Sequence, residues 1–258
     1  MLECVINVSC AAGAALDAIA AAAGPPLRDV HSDVDHHRSV LTLVGADVEA
    51  AARRVAAEAV ARLDLRTHVG AHPRIGVVDV VPFVALDGSA PAEALAARDR
   101  FARWAGTTLA LPCFLYGPER TLPEVRRGAW DQLTPDFGPA APHPTAGACA
   151  VGARPVLVAY NLWLRDPDID RARAIAAQLR SEHVRALGLQ VGRQVQVSLN
   201  LIAPVQFGPA QAFDAVAALA PIARAELVGL VPGAVLDAID PSRWPELDLA
   251  DDRRIELR

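Results

Sequence analysis

The deciding stretch of this sequence is THVGAHPRIGVVDVVPF, Thr67 to Phe83, which puts two histidines and an arginine among glycines and a proline, just before an apolar run. Glycine and proline disfavour a helix, and the valine-rich run favours a strand. The pattern predicts a loop that delivers polar side chains to the start of a strand. Imidazole is the side chain best suited to moving protons near neutral pH. His72, followed at once by Pro73 and Arg74, is therefore a candidate acid–base residue.

A second polar cluster, HSDVDHHR, covers residues 31–38. Its density of imidazoles and carboxylates has three interpretations: a hydrogen-bonded network that orients a substrate, a polar surface turn, or a divalent metal site. A metal-dependent hydrolase would use His31, Asp33, Asp35 and His37. The four-residue spacing of His68 and His72 is not a helical zinc motif, because Gly70 and Pro73 argue against a helix.

A third segment, GARP at residues 152–155, leads into an apolar strand that contains Asn161. Arg154 offers a fixed cation suited to a carboxylate, and Asn161 offers an amide. The alternative is an ordinary surface arginine and a structural asparagine at a strand end.

Composition narrows the class of protein. The chain has 258 residues, 52% of them hydrophobic, and a net charge of −5 without blocks of like charge, which favours a globular protein with no nucleic-acid partner. No apolar run reaches the roughly 18–20 residues that span a bilayer, so no membrane partner is expected. Four cysteines without CxxC spacing indicate a reduced, cytoplasmic protein. The sequence contains no lysine, which excludes Schiff-base and P-loop lysine chemistry.

Hydrophobic periodicity predicts the order β-α-β-β-α-β twice along the chain. The expected fold is α+β, with two ferredoxin-like (β-α-β-β-α-β) subdomains packed side by side and a cleft between them, and such clefts favour ligands. The predicted subdomains are residues 1–165 and 166–258. Residues 121–144, rich in proline and glycine, are expected to be irregular.

Together these motifs resemble the formiminotransferase domain of the glutamate formimidoyltransferase family. The matching segments are residues 2–9 (LECVINVS), 29–33 (DVHSD), 38–40 (RSV), 70–83 (GAHPRIGVVDVVPF), 120–123 (RTLP), 136–139 (DFGP), 152–154 (GAR) through Asn161, and 226–232 (ELVGLVP).

The resemblance implies an enzyme of histidine degradation and folate one-carbon metabolism, active between two subdomains. It would transfer a formimino group from N-formimidoyl-L-glutamate to tetrahydrofolate, its co-substrate, with His72 as general acid and base. Asp33 or Asp35 would orient the imidazole or stabilise the cationic formimino group. A homodimer without a metal site is expected. Folate contacts are expected from Asn7, His31, Arg38, Gly152, Arg154 and Asn161, with a second folate segment near residues 184–189. The metal-dependent hydrolase and a non-catalytic folate-binding relative remain the alternatives.

Overall fold

A computed structural model describes residues 1–70, 74–86 and 88–255 of this α+β protein. The chain divides into two compact units, Met1–Pro155 and the chain from Val156 onward. Each unit has its own buried hydrophobic cluster. The subdomain limits 1–165 and 166–258 stay a prediction.

The first unit is built on a six-stranded sheet in the order β2-β3-β1-β4-β6-β5. The pairs β2–β3, β3–β1 and β1–β4 are antiparallel, whereas β6 runs parallel to both β4 and β5. Its elements are β1 (Leu2–Val8), α1 (Ala14–Ala23), β2 (Leu27–Asp33), β3 (Arg38–Gly45), α2 (Val48–Arg62), β4 (Val78–Ala85), α3 (Pro91–Thr108), β5 (Cys113–Tyr116), α4 (Leu122–Gly128) and β6 (Cys149–Ala153).

Alternation along β1 explains how this sheet buries one face. Cys4, Ile6 and Val8 are fully buried in the main cluster, with side chains from α1, α2 and α3. Successive strand residues point to opposite faces, so Asn7 lies on the other face. The same alternation places candidate polar residues on one side of the sheet.

The second unit is built on a four-stranded antiparallel sheet in the order β10-β7-β9-β8. Tyr160, Leu162 and Leu199 are among its largest buried side chains. Its elements are β7 (Val158–Leu164), α5 (Ile169–Leu179), β8 (Val184–Val191), β9 (Gln194–Leu201), α6 (Pro209–Ala217), β10 (Ile222–Val228), β11 (Val231–Pro232), α7 (Gly233–Asp237) and β12 (Arg254–Ile255).

The sequence analysis missed two short regular elements. The segment expected to be irregular contains α4, which begins with a capping box: Thr121 N–H donates to Glu124 at 2.6 Å, and Glu124 N–H donates back to the Thr121 hydroxyl at 3.4 Å. The strand expected from Pro155 to Leu164 is β7, whereas the strand β6 that precedes it was not predicted. Both errors arose where proline and glycine masked a short regular element.

No helix within the described parts of the chain has the length and apolar character needed to cross a bilayer.

Candidate functional site

Three adjacent strands of the first unit bring several candidate residues together. Asn7 on β1 and His31 on β2 both pair with Val40 on β3, so they lie on one face with a single strand between them. The Asn7 amide donates to the carbonyl of Val5 at 3.3 Å. Asp33 and Arg38 are register partners at the end of the β2–β3 hairpin. Pairing among these three strands therefore brings Asn7 next to residues of the β2–β3 hairpin that are far from it along the chain.

Asp33 shapes the turn between β2 and β3. One carboxylate oxygen accepts a hydrogen bond from the His36 backbone N–H at 2.8 Å, and the other lies 3.1 Å from the Nδ1 atom of His36, whose side chain is buried. Partial burial raises the pKa of Asp33, but the hydrogen bonds from His36 outweigh it and lower the pKa to about 2. Asp33 is therefore a carboxylate at neutral pH. Asp35, in the same turn, is exposed.

A pair of stacked histidines joins this turn to the glycine–proline loop. The rings of His37 and His68 stack with centroids 4.3 Å apart. The Nδ1–H of His37 donates to the Val69 carbonyl at 2.9 Å, and the Nε2–H of His68 donates to the His37 carbonyl at 3.0 Å. Burial, together with Arg74 and His37, lowers the pKa of His68, which favours a neutral ring. The guanidinium of Arg74 lies against that ring.

The chain on either side of residues 71–73 is held against the same turn. Gly70 approaches it so closely that a Cβ atom there would lie 2.5 Å from the His36 carbonyl oxygen. Arg74 donates to that same oxygen at 3.0 Å. The predicted catalytic residue His72 falls between these two anchors and lies outside the described residues.

Asp79, at the start of β4, is a site residue that sequence reasoning missed. It is 1% exposed and accepts hydrogen bonds from the Ile75 backbone N–H at 2.7 Å and from Arg126 Nη2 at 2.6 Å. Burial lowers the pKa of Arg38 and Arg74, and the Asp79 carboxylate opposes that fall. An isolated acid within a buried valine run was a usable signal, since buried acids are almost always paired. No sequence pattern pointed to Arg126, because the helix α4 on which it lies was not predicted.

The strand β6 carries Gly152 and leads to Arg154. Gly152 pairs with Pro82 and Tyr116, and a Cβ atom on it would lie 2.1 Å from the Tyr116 ring. Close packing alone therefore requires glycine here. Arg154 donates through its backbone N–H to the Phe83 carbonyl at 3.1 Å, and its charge opposes the rise that burial causes in the pKa of Glu3.

Asn161 belongs to the second unit, on β7. Its amide donates to the Glu226 carboxylate at 3.2 Å, and Trp163 Nε1–H donates to the same oxygen at 2.7 Å. Arg224 stacks over the Trp163 ring at 4.2 Å. This buried amide thus has a structural partner of its own.

The four residues of the metal-site interpretation do not form a ligand set. Asp33 is bound to His36, and the His37 ring bonds to Val69. Across residues 1–70, 74–86 and 88–255, no three His, Cys, Asp or Glu side chains are grouped as metal ligands would be. The geometry of these residues does not favour the hydrolase.

The described residues place histidines, arginines and the carboxylates of Asp33 and Asp79 near the two ends of the segment 71–73, and these are side-chain types that serve acid–base chemistry. The model of the formiminotransferase domain, N-terminal subdomain, matches residues 1–154. The chain belongs to this family.

Three relatives show how far the similarity extends. The chain is 35% identical to a glutamate formimidoyltransferase of Streptococcus pyogenes, over 78% of this chain and 77% of that protein. It is 31% identical to one from Thermoplasma acidophilum, over 88% and 84%. It is 33% identical to the formimidoyltransferase-cyclodeaminase of Sus scrofa, where the match covers 92% of this chain but 51% of that protein. The chain thus spans about half the length of the longer relative.

Proposed function

We propose that this chain is a folate-dependent transferase that moves a formimidoyl group from N-formimidoyl-L-glutamate to tetrahydrofolate. Two relatives, matched over 77% and 84% of their own lengths, carry the name glutamate formimidoyltransferase. The observation that carries the proposal is that the residues flanking 71–73 are held in place: Gly70, Arg74 and Ile75 contact a histidine-rich turn and a buried carboxylate. A general acid–base needs such fixed support.

The proposed reaction is an addition followed by an elimination. The secondary amine of the reduced pterin attacks the formimino carbon. The new C–N bond converts that carbon into a tetrahedral intermediate. His72 takes the proton from the attacking nitrogen and gives it to the glutamate nitrogen. The bond between the formimino carbon and that nitrogen then breaks, which releases glutamate and formimidoyltetrahydrofolate. One imidazole serves both transfers if its pKa lies near neutrality.

The two predicted catalytic aspartates take different parts in this proposal. Asp33 is engaged by His36, so we assign it to shaping the turn against which the loop rests. Asp35 is exposed, so its carboxylate suits stabilisation of the cationic formimino group. For folate we retain Asn7 and His31, which share a sheet face. The remaining proposed folate contacts are Arg38, Gly152, Arg154 and Asn161.

The proposal also includes the predicted ferredoxin-like subdomains, the cytoplasmic location and the homodimer. Both units contain the succession β-α-β-β-α-β, with the strand orders β2-β3-β1-β4 and β10-β7-β9-β8. These orders support two ferredoxin-like subdomains. All four cysteines are free, which agrees with a reducing, cytoplasmic setting. We retain a homodimer as the expected assembly.

The test replaces the proposed acid–base. We expect His72→Ala to lower kcat by about 10²–10⁴-fold, the usual contribution of a positioned acid–base. Transfer is followed by the absorbance of the folate product, with tetrahydrofolate binding and circular dichroism measured on the same sample. His183→Ala is the matched control, because His183 lies in the second unit and its side chain is 41% exposed.

Near-normal turnover in His72→Ala would rule out the assigned role. A wild-type protein that binds tetrahydrofolate but transfers from no formimino donor would instead be the non-catalytic folate-binding relative.

A further inference from the structure

Three polar side chains, those of Glu3, Thr42 and Asp29, lie on the face of the first sheet opposite α1, α2 and α3. Each stands next to strand residues that pack in the main buried cluster, so each points away from that cluster. Asp29 on β2 and Thr42 on β3 are register partners, and on its other side Thr42 pairs with Val5 of β1. Glu3, two residues from Val5, is therefore a diagonal neighbour of Thr42, and such neighbours lie about 7–8 Å apart.

The oxygen atoms of this acceptor trio have unused hydrogen-bonding capacity within the described part of the chain. The Thr42 hydroxyl and the Asp29 Oδ2 atom are buried there without a partner. Thr42 is 1% exposed and Glu3 is 8% exposed. No described residue forms a hydrogen bond with the Glu3 carboxyl group, whose register partners on the neighbouring strands are Val44 and Val84. Because buried polar groups are nearly always paired, these oxygens indicate a site for a ligand that donates hydrogen bonds.

Glu3 lowers the stability of the sheet in which it lies. Burial raises the pKa of its carboxyl group, and the charge of Arg154 opposes that rise only in part. A buried acid without a hydrogen-bond partner is unfavourable, so a glutamine of the same size should be tolerated at least as well. Groups that are unfavourable in this way are concentrated at functional sites.

We infer that the acceptor trio binds the tetrahydropterin ring of the co-substrate, with the Glu3 carboxylate accepting hydrogen bonds from the N3–H and 2-amino groups. The inference rests on the proposed function, which supplies tetrahydrofolate as the co-substrate. These two donors lie side by side on the pyrimidine edge of the ring, a spacing that suits the two oxygens of a carboxylate. Thr42 and Asp29 accept from the remaining N–H groups of the ring. Asn7 and His31, already proposed as folate contacts, share this sheet face.

The spacing of the acceptor trio favours the pterin over the other substrate. The formimino group of the donor is also a planar N–C–N unit with N–H donors, so it offers similar chemistry. Glu3 and Asp29, however, lie on strands separated by β3, and two strand spacings are about 9–10 Å. That span suits a fused two-ring system and exceeds a single formimino group.

The test compares two folates by anaerobic calorimetry. Tetrahydrofolate carries the 2-amino group, and 2-desamino-2-methyltetrahydrofolate replaces it with a methyl group. We expect the wild type to bind the first about 10- to 100-fold more tightly, the usual effect of a hydrogen bond to a charged group. Glu3→Gln should move this ratio towards one and leave the KM for formimidoylglutamate within about twofold. Thr42→Val, which removes only the hydroxyl, should weaken both folates about 3- to 10-fold.

Urea unfolding separates lost binding from structural damage. Glu3→Gln should unfold at or above the wild-type midpoint, because the glutamine buries no charge. Glu182→Gln is the matched control: its side chain is 87% exposed, so the variant should keep both the wild-type ratio and the wild-type midpoint. A lower midpoint for Glu3→Gln with an equal loss of affinity for both folates would show that Glu3 is structural, and would overturn the inference.

The inference and the proposed function fail in different ways. If the wild type transfers from formimidoylglutamate but Glu3→Gln keeps the wild-type folate ratio, the function stands and this assignment falls. If Glu3→Gln keeps that ratio and raises the KM for formimidoylglutamate, the trio binds the formimino group, and the pterin assignment is overturned. If Glu3→Gln loses the ratio while the wild type transfers from no donor, the assignment stands and the proposed transfer falls. A wild-type ratio near one would contradict the assignment.

Discussion

At the residue scale, the site depends on two aspartates, Asp33 and Asp79, that accept hydrogen bonds from other residues of the first unit. Asp33 receives its hydrogen bonds from His36, three residues along the same turn. Asp79 receives them from Ile75 and from the distant Arg126. The first pair is local and partly exposed, whereas the second is buried, so the two should respond differently to substitution.

Asp33 gives a prediction about pH. Its folded pKa of about 2 lies below the ordinary 3.8, so it contributes stability that is present above about pH 4 and is lost as the pH falls towards 2. We expect Asp33→Asn to lower the free energy of unfolding at pH 6 by about 1 kcal/mol, a value reduced for solvent screening of a partly exposed pair. Urea unfolding between pH 6 and pH 3 should show this difference shrinking with acid. Asp35→Asn is the control, and a pH-independent difference for Asp33→Asn would contradict the assignment.

At the element scale, the contact between α4 and the start of β4 holds the exit of the loop. Arg126 on α4 neutralises Asp79, which in turn fixes the backbone at Ile75. Replacing Arg126 deprives the buried Asp79 carboxylate of its 2.6 Å ion pair, and breaking a buried pair costs about 3–5 kcal/mol. We expect Arg126→Met to lower the free energy of unfolding by an amount of this order, measured by chemical denaturation.

A double-mutant cycle checks that cause. Asp79→Asn combined with Arg126→Met removes both charges while an amide oxygen can still accept from Ile75 N–H, so most of the stability should return. If the losses of the two single variants simply add, the two residues are not coupled, and α4 does not support the loop in this way.

The same elements show what sequence can and cannot predict. The order from β1 to β4 was predictable because its signals are local: alternating apolar residues, a proline stop at Pro25 and a polar turn. The strand β6 was not predictable from local signals, because a run of only five residues forms a strand here by pairing with β4 on one side and β5 on the other. The partnership of Asp79 with Arg126 joins residues 47 positions apart, so no local pattern encodes it. His72 comes from the loop pattern and stays a prediction, whereas the pairing of Asp79 with Arg126 was found only from the fold.

At the scale of the whole molecule, the division into two units predicts how stability is distributed. Each unit has its own sheet and its own buried cluster, and β9 supplies Leu199, 2% exposed, to the second cluster. Truncating such a leucine removes buried methyl groups and leaves a cavity, at a cost of about 2–5 kcal/mol.

We therefore expect Leu199→Ala to lower the opening free energy in the second unit selectively. Hydrogen exchange followed by mass spectrometry should show faster exchange in peptides from residues 156–255 and wild-type protection in peptides from residues 1–70, because local stability follows the local core. Leu187→Ala on β8 is the control: that leucine is 58% exposed, so its loss should change little. An equal loss of protection in both units would mean that the chain opens as one cooperative body, and the two clusters would then be parts of a single folding unit.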